Sequence, residues 1–281
     1  MEDLPGARPP APVDVVDLFP ELQGHLLSLL ARLTHDEWDL PTVCPGWSVR
    51  DVALHLLGVD LGNLSVRRDR FRDPWWGTAS GDTVRDLNVF NQNWVVAARR
   101  ISPRLLRELL TVTGEAVSRY YADVDLSATG ISVWWVGPDP APVWLDIARE
   151  YTERWVHQQQ IRDAVGQPGL KEARYLAPVI ATFVQALPRA LRAVSAPEGT
   201  VVRLAVVGEA GGRWIALRGP DRWALLQDGG EAASATVTID QDLAWRLWTR
   251  GVSPEDARPR VVTTGHPELA ARALEMVSII A

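Results

Sequence analysis

Cysteine, lysine and long apolar runs are scarce in this 281-residue chain, and each scarcity limits what the protein can be. The single cysteine, Cys44, excludes an internal disulfide and a cysteine-rich metal site. No segment approaches the roughly 18 consecutive apolar residues that a membrane-spanning helix requires, so we expect no membrane span. Basic residues form no run and the formal net charge is −6, which disfavours nucleic acid as a partner. Lys171 is the only lysine among 29 basic residues, a skew typical of a GC-rich genome.

The remaining composition is that of an ordinary globular protein, with 47% hydrophobic and 23% charged residues. The N-terminal stretch 1–13 is rich in proline and lacks the charged-then-apolar order of a signal peptide, so cytoplasmic residence is the expectation. Tryptophan is unusually frequent, with 13 residues against four Phe and four Tyr. These side chains either fill the core or line an aromatic pocket.

Helical periodicity dominates the first half of the chain. Ser48 and Asp51 stand three residues apart, as in a capping box at the start of a helix, and Gly166 is placed to end the last helix of this half. A turn is expected at Pro41–Trp47 and a loop at Asp123–Pro142. The helices themselves are predicted over Val15–Leu33, Val49–Arg70, Thr83–Arg100, Pro103–Tyr121 and Val143–Val165. These five segments favour a bundle of four long helices with one long connection, a fold that builds metal sites in its core.

The second half mixes short β-type runs with helices. The sequence therefore predicts an α+β protein of two domains, a helical bundle over residues 1–167 and a small α+β domain over 168–281. Strands are predicted over Val201–Val207, Trp214–Arg218, Trp223–Leu226 and Ala235–Ile239. Helices are predicted over Arg174–Val194, Asp240–Thr249 and Pro267–Ile280.

Glu153 and His157 are the first two members of a candidate metal site. They stand four residues apart and so share one face of a helix, and His55 lies on the apolar face of an earlier helix. Two imidazoles and a carboxylate suit zinc, although nickel or iron would also fit, and three ligands leave a position open for chemistry. The alternative is structural, because surface helices often show this spacing and a histidine on an apolar face is often a hydrogen-bonded core residue.

Two local motifs then resemble a known family. The segment TVCPGWSVRDVALH, which ends at His55, and EYTERWVHQQQIRDAVGQP, which starts at Glu150, resemble the DinB-like, mycothiol-dependent maleylpyruvate isomerase family. The resemblance implies a four-helix DinB-like bundle followed by a small, sterol-carrier-like α+β domain. It also implies that His55, Glu153 and His157 are the metal ligands and form the catalytic centre. Gln160 departs from the pattern, because many relatives have Asp there.

The resemblance further implies mycothiol or a similar low-molecular-weight thiol as cofactor or co-substrate. A metal ion stabilises the thiolate of such a thiol, which then acts as a nucleophile. Cis-trans isomerisation of a small electrophilic substrate and S-transfer to it are both open. Arg162 is a candidate for binding the thiol, or else a helix-end arginine favoured by the helix dipole.

Several alternatives stay open at this point. Cys44, between Val43 and Pro45, is more typical of a packed residue than of a nucleophile. The Trp-Trp pair 134–135 and Trp155 are candidate pocket walls. A non-catalytic protein that binds a metal or a small ligand on the same fold is the alternative to an enzyme. Besides a small molecule and a thiol, we expect no nucleic-acid or membrane partner, and a monomer or a homodimer.

Overall fold

A computed structural model describes residues 8–71 and 83–277. The chain divides into two compact units. One unit is helical and consists of Val15–Asp125 and Glu153–Gly169. The other contains a sheet and consists of Leu126–Thr152 and the chain from Leu170 onward, together with the N-terminal residues up to Asp14. The predicted combination of a helical domain and a small α+β domain is confirmed. The boundary between residues 167 and 168 stays a prediction, since the compact units interleave in sequence.

The helical unit contains the helices predicted from the first half, with ends that differ by a few residues. Apolar side chains of its first, second and fourth helices share one buried core, which includes Leu29, Val52, Leu56 and Leu106. The helices are α1 (Leu18–Arg32), α2 (Val49–Gly62), α3 (Thr83–Ala98), α4 (Pro103–Ala122) and the later part of α5 (Val143–Ala164). A 3-10 turn (Asp36–Asp39) follows α1, and α2 continues into a π-helical segment (Asn63–Arg68). In the described residues, no helix is long and apolar enough to cross a membrane.

The turn before α2 has the predicted form and fixes where that helix starts. Thr42 N donates to Trp47 O at 3.0 Å, and Gly46 has a φ of 78°, a conformation that favours glycine. Ser48 then caps α2, because its side chain accepts from the backbone N–H of Asp51 while the Asp51 side chain accepts from the N–H of Ser48. The reciprocal cap fixes the start of α2, the helix that carries His55.

The sheet-containing unit contains a hairpin of β1 (Thr129–Ser132) and β2 (Pro140–Pro142) and a separate five-stranded sheet. The strands of that sheet are β3 (Val201–Val207), β4 (Gly212–Arg218), β5 (Trp223–Gln227), β6 (Ala235–Asp240) and β7 (Val262–Gly265). Their order is β5-β4-β3-β6-β7, in which β3 and β6 are parallel and the other neighbours are antiparallel. The helices of this unit are α6 (Ala173–Phe183), α7 (Leu187–Leu191), α8 (Gln241–Trp248), α9 (Pro254–Ala257) and α10 (Pro267–Leu274), with 3-10 turns at Val184–Ala186 and Arg258–Arg260.

Three expectations are corrected in this unit. The predicted loop 123–142 contains an antiparallel hairpin of β1 (Thr129–Ser132) and β2 (Pro140–Pro142), and Trp135 within it is buried. The predicted helix 174–194 is broken into α6, a 3-10 turn and α7, because Pro188 has no N–H for a regular helical bond. The predicted last helix ends at Leu274, and residues 278–280 of that prediction lie outside the described residues.

Candidate metal centre

Helices α2 and α5 bring the three predicted residues together in the helical unit. Glu153 Oε1 lies 3.0 Å from His55 Nε2 and 3.1 Å from His157 Nε2. One donor atom from each of the three residues lies within 4.8 Å of the other two. Among the residues that the structure describes, this is the one group of three or more His, Cys, Asp or Glu side chains close enough to hold an ion. The role of these residues as metal ligands and catalytic groups stays a prediction.

The two imidazoles are more deeply buried than the carboxylate. The His55 and His157 side chains are 4% and 6% exposed, whereas the Glu153 side chain is 15% exposed. The Trp47 ring packs against His55 with 5.1 Å between centroids, and Trp47 Nε1 donates to Gln92 Oε1 at 2.7 Å. The turn before α2 therefore supplies an aromatic wall for the centre, and the carboxylate is its most exposed member.

A second layer of hydrogen bonds surrounds His157. Its Nδ1 donates to Gln160 Oε1 at 2.7 Å, and Cys44 Sγ donates to the same oxygen at 3.0 Å. Cys44 is buried at 4% exposure, as expected for a packed residue. Gln160 stands one turn after His157 on α5, so the sequence indicated that the two are neighbours. The contact with Cys44, from the turn before α2, could not be found from helical spacing.

Electrostatics in the centre is dominated by Glu153 and the imidazoles. Burial alone would raise the pKa of Glu153, but the charge and hydrogen bond of His157 and the hydrogen bond of His55 hold that pKa well below its ordinary value. Burial alone would lower the pKa of His157, but Glu153, with a contribution from Cys44, raises it to about 10. The centre therefore combines an ionised carboxylate with an imidazole that keeps a proton on the nitrogen facing it.

These donors fit a divalent cation. Both Nε2 atoms face Glu153 Oε1 at hydrogen-bond distance, and a cation bound there would take the place of protons on these nitrogens. Nitrogen from two histidines and oxygen from one carboxylate is the donor set of three-ligand zinc sites that keep a fourth position open. The second hydrogen bond of His157, to Gln160, is the outer support that metal-bound histidines regularly have.

Arg162 lies near the end of α5. It is buried, and its guanidinium donates to Gln167 O and to Gln158 Oε1, both at 3.2 Å. These bonds tie the end of the helix to the chain that follows it, in agreement with the structural alternative. A role in binding a thiol stays a prediction.

A buried ion pair next to the centre was not predicted. Arg154, which follows Glu153 in sequence, donates to Asp60 Oδ1 at 2.7 Å, and Thr113 donates to Asp60 Oδ2 at 2.9 Å. The pair joins α2, α4 and α5. Its signal in the sequence was a charged residue among the apolar residues of α2 and another in α5, since buried charges need partners.

Comparison with known proteins agrees with the motifs and the fold. The model of the mycothiol maleylpyruvate isomerase N-terminal domain matches residues 19–162, just over half of the chain. The chain belongs to this family. The matched segment contains His55, Glu153 and His157, so the candidate centre lies inside the family domain.

Relatives of this family member are distant. Two uncharacterized proteins of Mycobacterium tuberculosis, from strains CDC 1551 and H37Rv, are each 29% identical over 58% of this chain. The match spans 61% of the length of each relative. A crystal structure of the mycothiol-dependent maleylpyruvate isomerase is 12% identical, with a TM-score of 0.50 over 89% of this chain and 91% of that chain. At this identity the likeness concerns the fold alone.

A sterol carrier protein 2 like 2 from Aedes aegypti is 17% identical over 35% of this chain and 95% of that chain, with a TM-score of 0.27. A TM-score this low does not establish a shared fold. The α+β nature of the second unit is therefore shown by its own sheet and helices, and its sterol-carrier-like character stays a prediction.

Proposed function

We propose that this protein is a metal-dependent enzyme that uses mycothiol or a similar low-molecular-weight thiol to isomerise a small electrophilic substrate. The convergence of His55, Glu153 and His157 within 4.8 Å is the observation that carries the proposal. Membership of the mycothiol maleylpyruvate isomerase family supports the choice of thiol and of reaction. S-transfer to the substrate is the alternative outcome at the same centre, since both reactions begin with the same activated thiol.

The residues of the centre have separate tasks in this proposal. His55 and His157 would hold the cation through Nε2, and Glu153 would hold it through its carboxylate and offset part of its charge. A divalent cation bound there supplies a Lewis acid that lowers the pKa of a thiol. Trp47 shields one side of His55 from water, which strengthens electrostatic interactions inside the centre. We expect zinc, with nickel or iron as alternatives of the same charge.

A non-catalytic ligand-binding protein is less favoured. The candidate pocket walls were three tryptophans, of which Trp134 is half-buried whereas Trp135 and Trp155 are 2% and 0% exposed. Side chains buried to this extent are accounted for by core packing. A protein that only binds a hydrophobic ligand also has no need of three convergent donors with an open fourth position.

Metal analysis followed by thiol titration tests the proposal. We expect about one zinc ion per chain, and after replacement by cobalt we expect mycothiol to add a thiolate-to-metal absorption band. The variants His55→Ala and His157→Ala should remain folded and helical by circular dichroism and lose the metal. Equal metal content in the variants and the wild type would remove the proposed ligands. A cobalt protein whose spectrum does not respond to any thiol would refute the thiol-dependent enzyme.

A further inference from the structure

Gln160 connects the candidate metal centre to a buried thiol. Its Oε1 accepts hydrogen bonds from His157 Nδ1 at 2.7 Å and from Cys44 Sγ at 3.0 Å. An amide oxygen has two lone pairs and no proton, so both of these neighbours are donors. The two bonds therefore use the acceptor capacity of that oxygen, and they orient the amide with its oxygen toward His157.

A proton held on Nδ1 determines which nitrogen of His157 is available to a cation. Nε2 is the ring nitrogen that faces Glu153 Oε1, at 3.1 Å, and it is on the opposite side of the ring from Gln160. A neutral imidazole binds metal through the nitrogen that carries no proton, and the hydrogen bond of the other nitrogen sets this choice. We infer that Gln160 is a positioning residue, which keeps His157 as the Nδ1–H tautomer and reserves Nε2 for the cation, while Cys44 holds the amide oxygen in place. The inference rests on the proposed metal site.

The amide orients the imidazole without adding charge. A carboxylate at this position would accept the same hydrogen bond but would place a second negative charge near the centre, which already contains Glu153. A side chain of similar size with no acceptor would leave Nδ1–H buried without a partner, at a cost to the orientation of the ring. The positioning role therefore predicts that Glu can replace Gln160 and that Leu cannot.

Zinc affinity and the tautomer of His157 test this prediction together. Affinity is measured by competition with a chromophoric chelator, and the tautomer by the imidazole ¹⁵N resonances of the zinc-loaded protein. We expect Gln160→Leu to weaken zinc binding by about 10–100-fold, the range seen when an outer partner of a metal-bound histidine is lost. The protected Nδ1–H resonance of His157 should also disappear. Gln160→Glu should restore both, and Gln159→Leu, a matched loss of a buried glutamine that bonds to Gly169 O, should change neither.

Cys44 variants test the second half of the inference. Cys44→Ser keeps a donor for Gln160 and should bind zinc as the wild type does, whereas Cys44→Ala should bind it several-fold more weakly. If the wild type takes up none of zinc, nickel and iron, the proposed function fails. If the wild type takes up one of these metals and Gln160→Leu binds it equally well with the same His157 tautomer, the positioning role is overturned and the metal site stands. Should Gln160→Leu not fold, equal affinities of Cys44→Ala and Cys44→Ser would overturn the inference.

Discussion

His55 and Glu153 are 98 positions apart in the chain, and His55 Nε2 lies 3.0 Å from Glu153 Oε1. The same carboxylate oxygen also faces His157 on its own helix, so it contacts one histidine from α2 and one from α5. Both imidazoles lose the negative charge of their shared acceptor if this carboxylate is neutralised.

Glu153→Gln keeps the size of the side chain and removes its charge. We expect zinc affinity, measured by chelator competition, to fall by more than the roughly 10–100-fold associated with an outer partner. The pKa of His157, measured by NMR titration of the metal-free protein, should fall from about 10, because the carboxylate that raises it is gone. Glu115→Gln, at an exposed position of α4, is the control and should alter neither quantity. An unchanged zinc affinity in Glu153→Gln would exclude this carboxylate as a ligand.

Asp51 should make the stability of the helical unit depend on acid pH. Burial alone would raise its pKa, but hydrogen bonds from Arg99 and from the Ser48 backbone hold it below the ordinary value near 3.9. A depressed pKa contributes stability that is fully present above the unfolded-state pKa and is lost as the pH falls through the folded-state pKa. Arg99 is partly exposed, so solvent weakens its interaction with Asp51. We therefore expect Asp51→Asn to lower the free energy of unfolding by only about 1 to 2 kcal/mol at pH 7.

Urea unfolding of the wild type and Asp51→Asn, from pH 7 to about pH 3, provides the measurement. The difference in free energy of unfolding between the two proteins should shrink as the pH falls, because the wild-type carboxyl then becomes neutral as well. Asp39→Asn is the control, since Asp39 is exposed and its bridge to Arg50 spans 3.6 Å. A difference that stays constant with pH would show that the charge of Asp51 contributes nothing.

Local signals in the sequence were sufficient for the helical unit. The capping box of Ser48 and Asp51 and the apolar spacing of α2 act within a few residues, so they predicted where α2 starts and that His55 lies among its buried apolar residues. The i, i+4 spacing also placed Glu153 and His157 side by side. That His55 would meet them is a long-range packing fact, which the resemblance supplied and periodicity did not.

The strands β2 and β7 and one side-chain contact were not predicted from the sequence, each for a physical reason. Strand β7 is exposed along its whole length at the edge of the sheet, so it has no apolar alternation to detect. Pro140 and Pro142 are typical of turns, yet both lie in the short edge strand β2, where a missing N–H is tolerated. The bond from Cys44 to Gln160 spans 116 residues, and neither residue type signals such a partner in advance.

Breaking the ion pair of Arg154 and Asp60 should strongly lower the free energy of unfolding, whereas replacing both residues by apolar ones should lower it much less. Asp60→Ala leaves the Arg154 guanidinium buried without its carboxylate, and we expect a loss of about 3 to 5 kcal/mol in the free energy of unfolding. The double variant Asp60→Leu, Arg154→Met replaces the pair by apolar side chains and should regain most of that loss. Urea unfolding measures both. A double variant less stable than Asp60→Ala would mean that the pair itself, and not the unpaired charge, dominates the effect.

Gly58 should resist replacement because Trp94 lies against it. A Cβ at this position would come within 2.5 Å of Trp94 Nε1, which donates to Leu54 O at 2.8 Å. In Gly58→Ala the Trp94 ring must move and its hydrogen bond to Leu54 is strained. We expect this overpacking to lower the free energy of unfolding by about 1 to 3 kcal/mol, which outweighs the gain of up to about 1 kcal/mol in helix propensity.

Gly62→Ala is the matched control on the same helix. A Cβ there meets no atom within 4 Å, so this variant should keep the propensity gain of up to about 1 kcal/mol. Thermal unfolding followed by circular dichroism should therefore move the two melting temperatures in opposite directions, by roughly 2 to 4 °C per kcal/mol. If Gly58→Ala has the same melting temperature as Gly62→Ala, Trp94 does not pack against α2 as described, and the contact between α2 and α3 is wrong.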